Sequence, residues 1–192
     1  CDKMCYENDG TTLKFKGCYH HSCPFGLLIK AEPAQHLPMW GASPRHADLF
    51  IEVDNTTTGR QLTITEAQSV ADLYNHSTSK LWNPDGTTGV SSHLDIGTNC
   101  PATKICGNWG GYNLVTLYDD EEKAYTSGEI HSIRDGIFRY GLAKDGSTGS
   151  AKFIPGKIFN FGTQGLRPWA NVAHESGHTV GLGHHGYNNR GA

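Results

Sequence analysis

Apolar residues recur along this chain with two spacings, one typical of strands and one typical of helices. Short runs rich in β-branched and aromatic residues predict strands at 48–54, 91–97, 113–118, 137–142 and 157–161. Ala67, Val70, Ala71 and Tyr74 follow the i, i+3, i+4, i+7 spacing of a helix. A capping box at 63–66 marks the start of this helix, which we expect to run to about residue 79.

A second helix is predicted near the end of the chain. Pro168 lies where this helix would begin, because proline is favoured in the first helical turn. Its inward stripe comprises Trp169, Val172, Ala173, Ser176 and Val180. Turn-forming residues at 83–86 and a flexible stretch at 144–150 separate the elements. This order predicts an α+β fold, an α/β sandwich in which a twisted mixed sheet supports the last helix.

The first 45 residues differ in composition from the rest. They contain four of the six cysteines and four prolines, which predicts an irregular segment stapled to a main domain at 46–192. The net charge is −3 and there is no basic stripe, so nucleic acid is not an expected partner. No apolar stretch approaches the ~20 residues of a membrane helix. The oligomeric state is not indicated.

The cysteines fall into three close pairs: Cys1 and Cys5, Cys18 and Cys23, Cys100 and Cys106. An even count in a small, glycine-rich chain favours disulfides and an oxidising compartment. Cys100 and Cys106 flank a loop short enough to be closed by its own bridge, whereas the other four allow three pairings. A second metal site at 18–23 and a zinc-masking thiolate are less favoured alternatives. We therefore expect a secreted or extracellular protein, with the periplasm and the cell surface included.

The run 174–184 has the pattern H-E-x-x-H-x-x-G-x-x-H, in which each fixed position has its own chemical role. On a helix, His174 and His178 lie one turn apart and can bind one ion. Glu175 lies beside them and is placed to act on a metal-bound water as general base. Gly181 lets the chain leave the helix sharply, so that His184 can return as the third ligand. Three imidazoles and one open position indicate a catalytic Zn²⁺ site.

Other interpretations of this run are less favoured. Incidental histidines on an amphipathic helix would leave Glu175 and the Gly181–His184 spacing unexplained. A downstream glutamate ligand is excluded within the printed chain, because 176–192 contain no acidic residue. His185 is an alternative third ligand with poorer spacing. Elsewhere, the acidic run 119–122 offers carboxylates to Ca²⁺, although a solvated turn is the favoured interpretation.

With this motif the chain resembles the metzincin clan of zinc metalloproteases, with no subfamily assigned. The segments 47–54, 83–89 and 136–140 are similar to uncharacterised bacterial secreted members. The resemblance implies a metzincin-like N-terminal subdomain and an endopeptidase acting on a protein or peptide. It also implies that an edge strand before the active helix pairs with extended substrate. We assign that role to Lys157, Ile158, Phe159, Asn160, Phe161 and Gly162.

One departure from the clan concerns the end of the chain. The clan has a methionine turn and a C-terminal subdomain after the third histidine, whereas Met4 and Met39 are the only methionines here. We therefore expect the chain to be truncated or processed, with a missing C-terminal segment as a partner, and a minimal variant of the clan is the less favoured alternative. Its start at Cys1 likewise suggests a processed form, with a mature lipoprotein as a minor alternative.

The sequence thus predicts hydrolysis of peptide bonds by a zinc-activated water, with Glu175 as the base. Two alternatives remain open: a zinc-containing binding module without turnover, and a zinc amidohydrolase that acts on non-peptide amides.

Overall fold

A computed structural model describes residues 3–8, 13–19, 28–29, 37–38, 40–76, 81–100, 105–109, 112, 114–128, 134 and 136–184. The chain divides into two compact units, Cys1–His36 and Leu37–Ala192. The boundary therefore lies about nine residues before the predicted one at 45/46, and Trp40 belongs to the core of the second unit.

The first unit contains a small antiparallel sheet. Its strands are β1 (Lys3–Asn8), β2 (Leu13–Tyr19) and β3 (Leu28–Ile29), in the order β2-β1-β3. The expectation of an irregular segment is corrected here. In β2, apolar and charged residues alternate over 13–16. The predicted pairings of Cys1, Cys5, Cys18 and Cys23, and the alternative metal site at 18–23, lie outside what the structure describes.

The second unit is a mixed α/β structure with a seven-stranded, mostly parallel sheet. Its elements are β4 (Asp48–Thr56), α1 (Ile64–Tyr74), β5 (Ser91–Asp95), a 3-10 turn (Gly97–Asn99), β6 (Cys106–Gly107), β7 (Leu114–Val115), α2 (Glu121–Thr126), β8 (Phe138–Lys144), β9 (Gly149–Ala151), β10 (Ile158–Gly162) and α3 (Pro168–Thr179). The strand order is β6-β5-β4-β8-β10-β9, and β7 pairs with β4. Among the described strands of this sheet, β9 alone runs antiparallel to its neighbour.

Most of the predicted elements are present at nearly the predicted positions. The capping box on Thr63 and Glu66 forms, but α1 ends at Tyr74, because Asn75 caps it. The strand predicted at 113–118 is reduced to β7, and β9 occupies part of the stretch predicted as a turn. Cys100 and Cys106 form the predicted disulfide, with Cα atoms 6.0 Å apart.

The sheet is covered on both faces. One face packs against α1 and α3 through apolar side chains such as Ile51, Leu94 and Phe159, all fully buried. The other face carries an aromatic cluster in which Trp40 stacks on Trp109 at 5.0 Å between ring centroids. Burial on both faces is typical of parallel strands and gives the sheet the rigidity to position a site at its edge.

Arg134 neutralises buried acids on the aromatic face. Its guanidinium donates hydrogen bonds of 2.7 Å to both Glu52 and Asp95 and a third to the carbonyl of Trp109. It also lies 4.6 Å from the Phe138 ring centroid. Two carboxylates face this one cation, and the Oε1 atom of Glu52 is buried without a hydrogen-bond partner. Burial therefore raises the pKa of Glu52 to about 7, although Arg134 opposes that shift.

Two of the acidic residues at 119–122 have structural roles, one as a helix cap and one in an ion pair. Asp120 accepts backbone hydrogen bonds from Glu122 and Lys123 as the N-cap of α2. Glu122 forms an ion pair with Lys152 at 2.6 Å. Among the described residues, the group that could hold a metal ion is His174, His178 and His184, so the calcium role considered for 119–122 finds no support.

No described helix is long and apolar enough to cross a membrane.

We predict that Glu52 makes the protein less stable as pH rises. A carboxyl group whose pKa is raised in the folded state stabilises that state below its unfolded pKa, and this contribution is lost as pH rises through the folded pKa. Between pH 5 and 8 the free energy of unfolding of the wild type should fall by on the order of 3 kcal/mol more than that of Glu52→Gln. Urea unfolding of both proteins at the two pH values measures this. Equal pH dependence in both would contradict it.

Candidate metal centre

The position of α3 is set by a tightly packed inner face. Val172, Ser176 and Thr179 are fully buried against the sheet and α1. The hydroxyl of Tyr74, at the end of α1, lies 3.0 Å from the carbonyl oxygen of Ala173 and 2.8 Å from Ser176 Oγ. A tyrosine hydroxyl is protonated at neutral pH and can donate, and burial raises the pKa of Tyr74 further above that range. These contacts hold α3 in register with the sheet.

The helix places two of the predicted ligands side by side. His174 and His178 are one turn apart, and their Nε2 atoms are separated by 3.1 Å. His178 is buried whereas His174 is exposed, so the pair lies at the border between the core and solvent.

The end of α3 returns the chain toward these two histidines. Gly181 adopts φ 97°, and its N–H donates to the carbonyl of His178, while the N–H of Leu182 donates to Gly177. This pair of hydrogen bonds is a Schellman motif, which requires a left-handed residue that glycine adopts without strain. The turn brings His184 back to the helix, with its Nε2 3.0 Å from that of His174 and 2.9 Å from that of His178.

The chemistry of the three imidazoles fits a metal ion. Nitrogen ligands about 2.0–2.1 Å from a tetrahedral zinc are separated by roughly 3.3 Å, close to the 2.9–3.1 Å found here. The Nδ1 atom of His178 must be the protonated one, because its contact, the carbonyl of Leu182, can only accept. In the neutral ring, Nε2 of His178 then carries a lone pair directed at the other two nitrogens. A shared cation satisfies such a set of lone pairs.

Glu175 lies on the side of α3 that faces the sheet edge. Its side chain is buried, with 6% exposure. A Cβ atom added to Gly149 in β9 would lie 2.7 Å from Cγ and 3.0 Å from Oε1 of Glu175. The absence of a side chain at position 149 is therefore what allows the carboxylate of Glu175 to lie against β9.

The prediction that the main chain of 157–162 pairs with substrate is wrong. β10 pairs with β8 on one side and with β9 on the other, so its hydrogen-bonding groups are used within the sheet. The edge strand beside α3 is β9. The N–H of Lys152 donates to the carbonyl of Ile158, and the carbonyl of Thr148 accepts from the N–H of Gly162. Because inward and outward residues alternate along an antiparallel strand, the N–H and C=O groups of Gly149 and Ala151 point away from β10.

The structure brings together His174, His178 and His184 as the sequence indicated, and it places Glu175 beside them on the same helix. His185 lies outside the described residues. The positions of Gly149 and Ala151 in an edge strand were not predicted, because nothing in a short glycine-rich stretch distinguishes an edge strand from a turn. The role of the Tyr74 hydroxyl was not predicted either, although the helical spacing had identified that residue as inward-facing.

No family model, curated protein or solved structure matches this chain.

We predict opposite effects from two glycine substitutions in this motif. Gly181→Ala should cost about 1–2 kcal/mol in the left-handed turn and weaken zinc binding, because the strain displaces His184. Gly177→Ala should raise the free energy of unfolding by about 0.5–1 kcal/mol. The added Cβ would meet Leu182 at 3.4 Å, an ordinary contact.

Thermal unfolding and zinc titration against a competing chelator measure both effects. Gly177→Ala serves as the control within the same motif. Equal zinc affinity in the two variants would show that the turn at Gly181 does not position the third ligand.

Proposed function

We propose that this chain is a zinc-dependent endopeptidase of the metzincin type, with His174, His178 and His184 as ligands. The observation that carries the proposal is the convergence of three Nε2 atoms within 3.1 Å of one another, on the spacing of an extended H-E-x-x-H motif. The mostly parallel sheet with one antiparallel edge strand beside the helix is compatible with a metzincin-like subdomain.

Zinc, when bound, lowers the pKa of a coordinated water and polarises a carbonyl group. The contribution of the chain is to hold and move a proton. Glu175 accepts a proton from the attacking water at a carboxylate oxygen and then delivers it to the nitrogen of the leaving amine. Its burial between α3 and β9 keeps the carboxylate in one position, which is the requirement for efficient proton transfer.

The outer edge of β9 is where an extended peptide would bind. Among the described strands none pairs with this edge, and the outward N–H and C=O groups of Gly149 and Ala151 can form a β-ladder with substrate. Because Gly149 contacts Glu175, a peptide paired here passes next to the base. This assignment replaces the one made for 157–162.

The Cys100–Cys106 disulfide supports a location outside the reducing cytosol, in a secreted or extracellular compartment.

The base is tested by Glu175→Gln, which we expect to keep one zinc per chain while cleavage of casein falls by about 10²-fold or more. Glu122→Gln is the matched control, because Glu122 is exposed on α2 and lies outside the motif at 174–184, and its activity should be that of the wild type. His178→Ala should lose zinc. Wild-type cleavage by Glu175→Gln would falsify the mechanism.

The same assays decide between the alternatives. A wild type that binds zinc but cleaves no protein or peptide would be a binding module. A wild type that cleaves only small non-peptide amides would be an amidohydrolase.

The substrate edge is tested by Ala151→Pro. Because the N–H of Ala151 points away from β10, we expect proline there to leave the sheet intact and to raise KM for extended peptides. Ser150→Pro is the comparison, since Ser150 pairs with Asn160 inside the ladder. It should lower the unfolding temperature as well. An unchanged KM in Ala151→Pro would exclude β9 as the binding edge.

A further inference from the structure

A cavity of about 250 Å³ lies at the amino-terminal ends of β4 and β8, and His174, His178 and His184 are not among its lining residues. Its walls are largely apolar, with Leu49, Val90, Ile137 and Val180 among the lining residues. Arg139 of β8 also lines this cavity. A cationic side chain among apolar walls indicates a binding site for an anion that carries an apolar group.

Arg139 has no partner among the described residues. Its Nε atom is buried without a hydrogen bond, whereas Arg134 donates to two carboxylates and a carbonyl, and Arg60 pairs with Glu66. A buried guanidinium nitrogen that has lost its water and gained no acceptor is unfavourable. An acceptor that enters the cavity would remove that cost.

The carboxylate in the cavity wall is already held by other donors. Asp48 accepts from His93 at 2.8 Å through Oδ1 and from the N–H of Ser43 through Oδ2. The carbonyl oxygen of Tyr74, at the end of α1, accepts from Val90. Among the described lining residues, Arg139 is therefore the cation without a partner, and the carboxylate of Asp48 is held by His93 and Ser43.

We propose that this cavity binds a small monocarboxylate with an apolar body, whose carboxylate pairs with Arg139. The planar guanidinium matches a carboxylate with two parallel hydrogen bonds. A monoanion is favoured over a phosphate dianion because a single arginine faces it and the acidic Asp48 lies in the same wall. At about 30 Å³ per water, the volume equals roughly eight waters, which suits an acid of six to eight heavy atoms.

The ligand also touches the helix that carries the metal ligands. Val180 is the C-cap of α3 and lines the cavity. A bound acid would pack against the end of that helix without contacting the histidines, so the proposal stands independently of the proposed peptidase activity.

Hexanoate and N-acetylglycine are the probes, titrated calorimetrically into the zinc-loaded chain. The first represents a free acid and the second a peptide carboxyl end. We expect saturable binding of one equivalent of at least one probe, and Arg139→Met should weaken it by roughly tenfold or more. Arg60→Met is the matched control, because Arg60 is exposed and paired elsewhere, and it should bind as the wild type does.

Hexanamide, a neutral analogue of nearly the same shape, tests the ion pair without any mutation and should not bind measurably. Equal binding of hexanoate and hexanamide would overturn the proposal. So would hexanoate binding that survives in Arg139→Met but disappears in His178→Ala, because the acid would then be on the metal. Failure of both probes to bind the wild type would also overturn it.

Discussion

The packing of α3 against the sheet and α1 is the constraint on which the candidate site depends. One helix carries two of the proposed ligands and the proposed base, so a small slide of that helix would move all three together. Burial of Val172, Ser176 and Thr179 and the contacts of the Tyr74 hydroxyl with Ala173 and Ser176 oppose such a slide. A buried valine contributes about 1.5–3 kcal/mol. The Schellman turn at Gly181 then adds the third ligand from outside the helix.

The aromatic face of the sheet has a different role. Its strands carry buried carboxylates, and Arg134 donates to two of them through hydrogen bonds that cross 82 residues of chain to Glu52 and 39 to Asp95. This cluster fixes β4 and β5 relative to the segment that holds Arg134. It stiffens the sheet whose far edge, β9, lies against Glu175. The scaffold is thus held by charge pairing on one face and by apolar packing on the other.

The sequence predicted the local features well because they depend on local spacing. The capping box at Thr63, the helix starting at Pro168 and the histidine positions follow from helical periodicity and cap chemistry. The order of the strands cannot be predicted from such local patterns, since strand pairing joins segments that are distant in sequence. For that reason β10 was expected at the edge of the sheet, whereas β9 lies outside it. The three residues of β9 form a strand by pairing with β10 and carry no strand pattern of their own. The partners of Arg134 were hidden for the same reason.

Zinc K-edge X-ray absorption of the zinc-loaded protein tests the central claim, that three histidines of α3 and its terminal turn bind one ion. We expect a first shell of nitrogen and oxygen neighbours at about 2.0–2.1 Å, with the outer-ring scattering of three imidazoles. A sulfur neighbour at about 2.3 Å, or scattering from fewer than three imidazoles, would contradict it.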